Sequence, residues 1–183
     1  MSSSAPAAAR KLTGPIAAYH EPAFSRRVRE ALLPQIDVYG MNEDELQSYL
    51  GRQVGLLSAE DVADARTAVH RLIPVSTLVL HTKFWALALG PGEYAGALDN
   101  GTLMAATRYC HGDDFTDEDV ERLRRRPRRP ESVVFAAALR ARMGEAVDCV
   151  PGFEFDVQNP TTVGLGDTFV GGFPAELALK GHR

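Results

Sequence analysis

The sequence predicts an α/β fold, a layered sheet with helices on both faces. Two observations carry that prediction. Short runs rich in Val, Leu and Ile have the composition of buried strands. Between them lie longer stretches whose apolar residues recur every three to four positions, the period of an amphipathic helix. The alternation of the two, punctuated by Gly and Pro, is the pattern of a sheet covered by helices, mostly parallel with some antiparallel pairing.

The elements follow in order. Residues 23–33 place Phe24, Val28, Leu32 and Leu33 at helical spacing with Arg26, Arg27, Arg29 and Glu30 opposite, and Pro34 ends that helix. A short strand at 36–39 runs into Gly40, and Asn42 is placed to cap a helix through Leu50. Ser58 caps the next helix, whose first turn is acidic and whose Val62, Ala65, Val69 and Leu72 keep the period until Pro74. Residues 76–81 and 84–89 read as two strands joined by a tight turn at Thr82-Lys83, ended by Gly90-Pro91-Gly92. A helix is expected over 98–109 despite Gly101, then a short one capped at Thr116, then one from Pro130 through Met143. Strands are expected at 146–150 and 153–157. A glycine-rich loop leads into the last helix, opened by Asp167 and Thr168, which Pro174 should break near Phe173.

Composition narrows the class. The 183 residues are 45% hydrophobic, enough for one core. A net charge of −4 and a pI of about 5.7 give no general electrostatic reason to expect nucleic acid or an acidic membrane surface, and a small-molecule substrate fits better. No run approaches a transmembrane span. Cys110 and Cys149 are the only cysteines, which points to reduced thiols in a cytoplasmic protein, and His111 beside Cys110 lacks the further ligands of a zinc site. The first residues are small and polar without the h-region of a secretory signal, so residues 1–15 are expected to be a disordered tail and 16–183 one unit.

The most informative stretch is Asn159-Pro160-Thr161-Thr162-Val163-Gly164-Leu165-Gly166-Asp167-Thr168. Two glycines around one apolar residue let backbone N–H groups approach an anion. The helix that follows adds its unpaired N–H groups and the positive end of its dipole. Asp167 stands beside that anion, where it can accept a proton from an incoming hydroxyl, an arrangement suited to phosphoryl transfer. The same residues also read as a plain Gly turn capped by Asp. Asn42 and Glu45 share one helix face and can jointly hold a hydrated Mg²⁺, or simply make good helix-start chemistry. His81, Thr82 and Lys83 end a buried strand, where α/β folds place ligand contacts; they can also serve local backbone groups. The run from Arg122 to Pro130 is strongly basic, but its prolines and lack of aromatics favour a solvated loop.

Three segments together resemble the ADP-dependent glucokinase and phosphofructokinase family of the ribokinase-like superfamily. They are Thr162-Val163-Gly164-Leu165-Gly166-Asp167-Thr168, the strand-to-helix segment Asp37 to Leu46 with its Asn-x-x-Glu at Asn42 and Glu45, and Leu80-His81-Thr82-Lys83-Phe84-Trp85-Ala86. Thr161 and Leu165 stand where ATP-dependent relatives carry Asp and Ala. The resemblance implies a ribokinase-like fold and ADP-dependent transfer of a phosphoryl group to a sugar or sugar phosphate. Asp167 would be the base, and Gly164, Leu165 and Gly166 the anion hole. His81, Thr82, Lys83, Asn159, Thr162 and Val163 would contact nucleotide. Mg²⁺ would sit near Asn42 and Glu45, with Glu21 carried over from a His-x-Glu motif that here reads His20-Glu21. Only the C-terminal part of the family's larger proteins is matched. The sugar-binding half is missing, so a complementing chain is an expected partner. Two other readings are a non-catalytic nucleotide-binding module and an ATP-dependent carbohydrate kinase.

Overall fold

The chain's structure, a computed structural model, describes residues 12–13, 27 and 30–181. Its five-stranded sheet runs in the order β1 (Leu12–Thr13), β2 (Val38–Asn42), β3 (Thr77–His81), β4 (Trp85–Leu89), β5 (Val147–Pro151). β1 lies within the stretch expected to be tail. β1 with β2 and β2 with β3 pair parallel, whereas β3 with β4 and β4 with β5 pair antiparallel. The sheet is therefore half parallel rather than mostly so. The turn at 82–84 is too short for a crossover, so β4 must return alongside β3.

Helix starts follow local chemistry. In α1 (Glu43–Leu50) Asn42 and Glu45 form a reciprocal capping box, and Ser58 caps α2 (Ala59–Leu72) by accepting from the Asp61 N–H. α3 (Ala95–His111) is longer at both ends than the sequence predicts. Thr116 and Asp119 box the start of α4 (Asp117–Arg124), and α5 (Pro130–Met143) begins with Pro at its first turn. α6 spans Leu165–Gly181. Of the helix expected over 23–33, residues 27 and 30–32 are helical, and Pro34 falls in a 3₁₀ turn, Leu33–Gln35.

The two faces of the sheet bury different helices. Tyr39, Met41, Leu78, Leu80, Trp85, Leu87 and Cys149 pack with α1, α2 and α5. Val38, Val79, Ala86, Ala88 and Val150 pack with Tyr94, Ala97 and Leu98 and with Phe169 and Phe173 of α6. The alternation of neighbouring strand residues between these sets is the strand period of two. α3 and α6 cross at glycines: a Cβ on Gly101 would stand 2.9 Å from the Phe169 ring and 3.0 Å from its carbonyl oxygen.

Two further expectations are corrected. Residues 153–157 form no strand; Phe153 makes a single bridge to Arg128, and the Glu154 N–H donates to the Pro127 carbonyl. The segment facing it is bounded by Pro127 and Pro130, which lack the N–H a ladder needs. Pro174 does not break the last helix, which runs continuously through it. Phe169 and Phe173, one turn apart ahead of the proline, are both buried, and Asn100 Nδ2 donates to the Gly172 carbonyl. This packing on α3 holds the two halves in line.

Candidate active site

The C-terminal ends of β2 and β3 and the start of α6 open into one cavity of about 480 Å³. Its polar lining includes Asn42, Glu43, Asp44, His81, Thr82, Lys83 and Gly166. Its apolar and aromatic lining includes Ala105, Ala106, Tyr109, Phe153 and Phe155, with Arg129. The Tyr109 and Phe155 rings meet at 5.2 Å, and the Arg129 guanidinium lies 5.4 Å from the Phe155 centroid.

The glycine loop forms one wall. Gly164 has φ +74°, a left-handed conformation that favours glycine. Its carbonyl accepts from the Thr168 N–H at 3.0 Å, so the helix starts at Leu165, two residues earlier than expected. Leu165 and Gly166 line the cavity with Thr162. Asp167 on the first turn, Asn159 and Val163 are all exposed and all lie outside the cavity lining, Val163 at 80%. The loop rests on α3, because the Thr161 N–H donates to the Tyr109 carbonyl and Arg108 packs on Gly164.

The β3 end separates three roles. Thr82 serves the hairpin: its hydroxyl donates to the Trp85 carbonyl and accepts the Phe84 and Trp85 N–H groups, each at 3.1 Å. Lys83 is exposed at the cavity with its ammonium 5.0 Å from the Phe84 ring. His81 stacks on Phe169 at 4.5 Å, and its Nε2 is covered without a hydrogen-bond partner. Burial without a compensating charge pushes its imidazole down to about 4, so it is neutral at physiological pH.

At the β2 end, Asn42 Oδ1 accepts the Glu45 N–H and Glu45 Oε2 accepts the Asn42 N–H, both at 2.9 Å. This box engages the single side-chain oxygen of Asn42 and one of the two of Glu45, and Glu45, unlike Asn42, lies outside the cavity lining. Glu43 lines the cavity with Asp44 and accepts the Lys83 N–H at 3.4 Å. Desolvation by burial raises the carboxyls of both Glu43 and Glu45 above the usual range. Hard oxygen donors partly stripped of water fit a Mg²⁺ that keeps most of its own waters. Among the described residues no group of three or more His, Cys, Asp or Glu is arranged to hold a metal ion, so a Mg²⁺ here would draw most of its ligands from water and phosphate. Glu21 lies outside the described residues.

Sequence reasoning missed Glu43, Arg108 and Arg129. Arg129 and Arg128 belong to the basic run expected to be solvated, and Arg122, Arg124, Arg125 and Arg126 are indeed exposed. Arg128 instead stacks on Phe153 at 3.6 Å and pairs with Asp99, while Arg129 Nε donates to the Phe153 carbonyl. The alternating Phe153 and Phe155 were the available signal, since aromatic faces attract guanidinium groups. Among the described residues no helix is long and apolar enough to cross a membrane.

Helices cover both faces of the sheet, and the cavity opens at the ends of β2 and β3, where α/β folds place ligand contacts. More narrowly, the chain has the fold of part of the ADP-dependent phosphofructokinases. A hypothetical ADP-dependent phosphofructokinase from Pyrococcus horikoshii OT3 superposes with a TM-score of 0.69 at 23% identity, over 92% of this chain and 42% of that one. A phosphofructokinase from the same organism, in a structure with AMP, gives 0.65 at 25% identity over 86% of this chain and 41% of that one. An ADP-dependent kinase in complex with fructose-6-phosphate and ADPβS gives 0.58 at 16% identity, over 83% and 42%. The chain thus spans about two fifths of the length of these structures. No family model and no curated protein matches the sequence.

Proposed function

We propose that this chain is the nucleotide-binding and catalytic part of an ADP-dependent sugar kinase, in which a phosphoryl group passes from ADP to a hydroxyl of a sugar or sugar phosphate and AMP is left. The observation that carries this reading is the convergence of the β2 and β3 ends with the glycine-opened start of α6 in one cavity, on the fold of those kinases. The aromatic lining, with Tyr109 and Phe155, suits a base, and the polar lining suits phosphates. The N–H groups of Leu165 and Gly166 at the first turn of α6 stabilise charge on the transferring group. Lys83 contributes a cation, and neutral His81 offers a hydrogen bond without charge. Asp167 accepts the proton from the attacking hydroxyl. Asn42, Glu45 and Glu43 would hold Mg²⁺, which offsets phosphate charge when bound. The sugar site is assigned to a part outside this chain, supplied by a longer protein or a complementing chain.

A second reading, a nucleotide-binding module without turnover, is favoured by the capping box that already engages Asn42 and Glu45. Calorimetric titration of ADP, AMP and ATP with Mg²⁺ tests both against wild type and Gly166→Val. A Cβ at Gly166 would stand 3.4 Å from His81 Cε1, and the valine methyls would intrude further. ADP binding tighter than ATP binding and lost in the variant is the expected result. ATP bound in preference would transfer the assignment to an ATP-dependent kinase, and no binding to a folded chain would overturn both readings. If ADP binds, product formation on adding a sugar-binding half separates kinase from module.

A further inference from the structure

We infer that Arg108 and Thr168 are positioning residues that aim the Leu165 N–H at an anionic, phosphate-type ligand, an inference that rests on the glycine loop being the phosphate end of the site. Arg108 lies on α3, outside the cavity lining, and touches the loop from behind. A Cβ on Gly164 would stand 3.0 Å from both its Cζ and one terminal nitrogen, so the guanidinium sits directly on that turn. One terminal nitrogen pairs with Asp113 at 2.7 Å, and the other donates to Thr168 Oγ at 3.3 Å. Thr168 Oγ in turn donates to the Gly164 carbonyl at 2.9 Å, which also accepts the Thr168 N–H.

The direction of that carbonyl is the consequence that matters. A trans peptide is planar, with its C=O and the following N–H on opposite sides. Two hydrogen bonds draw the Gly164 oxygen along α6, so the N–H of Leu165, in the same peptide, turns out of the helix end toward the cavity. A glycine with φ +74° has little intrinsic preference to hold that peptide in one orientation, because it lacks a Cβ. The relay from Asp113 through Arg108 and Thr168 supplies the restraint. It also brings a fixed positive charge behind a helix start that already favours anions. The Arg108 Nε is covered and without a partner, so this atom has given up solvent for the guanidinium to lie here, although the side chain as a whole is 26% exposed.

The test titrates ADP and, separately, adenosine into wild type, Thr168→Val, Arg108→Gln and Arg108→Lys. Each variant is first shown to keep a cooperative thermal transition, and the ¹H–¹⁵N resonance of Leu165 is followed in each. Thr168→Val removes the relaying hydroxyl and keeps the shape. In Thr168→Val and Arg108→Gln, ADP affinity should fall about tenfold with adenosine affinity unchanged, and the Leu165 resonance should move. Arg108→Lys should recover only part of the loss, because an ammonium cannot reach Asp113 and Thr168 as a fork. An equal loss for adenosine and ADP, or unchanged ADP affinity, would overturn the inference. A wild type that binds neither ligand would instead defeat the nucleotide-site reading. The Leu165 resonance then decides the relay by itself: displacement by Thr168→Val supports it, and an unmoved resonance refutes it.

Discussion

His81 should make the stability of this chain fall steeply in mild acid. Its imidazole has an ordinary value of 6.5 and is pushed down to about 4 by burial, with Nε2 covered and the ring stacked on Phe169. Above 6.5 the ring is neutral in both folded and unfolded chains, and its contribution is fully present. As pH falls from 6.5 toward 4, the unfolded chain takes up a proton that the folded chain refuses, and stability declines. The gap of about 2.5 pH units, at about 1.4 kcal/mol for each, sets a full loss of about 3.5 kcal/mol, of which about 3 kcal/mol is reached at pH 4, where the folded ring is half protonated. In His81→Phe the stack is retained and the titrating group is gone. Urea unfolding of both proteins at pH 7, 6, 5 and 4 can be followed through Trp85, the single tryptophan, which is 1% exposed and donates to the Leu56 carbonyl. The raised carboxyls of Glu43 and Glu45 change both proteins alike, so the difference between the curves isolates His81. It should grow by about 3 kcal/mol in favour of the variant between pH 7 and 4. Parallel curves would refute the claim that the imidazole is buried neutral.

Three more expectations concern the crossing, the acidic wall and the base. Gly101→Val forces a side chain into the Phe169 ring and backbone, and should cost about 1–3 kcal/mol in chemical denaturation; a neutral result would mean that α3 and α6 do not cross there. Glu43→Gln should raise the melting temperature at pH 7. Its raised carboxyl makes burial costly once ionised, so the gain should disappear below 4.5, where the acid is protonated in both states. Asp167→Asn should lower turnover about 10²- to 10⁴-fold in any active assembly, with ADP affinity retained; equal activity would remove Asp167 as the base.

Much of the local structure, including the Asn42 box and the glycine turn at the candidate site, was legible in the sequence because it is made locally. The Asn42 box, the Ser58 and Thr116 caps, and Pro130 at a helix start satisfy backbone groups within a few residues, so the residues that form them stand together in the sequence. Gly164, Leu165 and Gly166 likewise announced a turn that bares N–H groups, although the helix begins inside that turn. The hairpin at Thr82 was read correctly as a turn. That its hydroxyl is spent on the Trp85 carbonyl and N–H was visible only in three dimensions.

The sequence by itself determined the α/β class, the main strands and capped helices, and the glycine turn, because each depends on periodicity or on hydrogen bonds closed within a turn. The tertiary structure decided what those elements face. It turned Glu43 into the cavity, set Arg129 among Phe153 and Phe155, and laid Arg108 on Gly164 from another helix. It also kept α6 continuous through Pro174, against the local preference of proline, by burying Phe169 and Phe173. These outcomes join residues tens of positions apart. They are fixed by which apolar faces bury one another and by which buried polar groups then find partners, and no short stretch of sequence contains either.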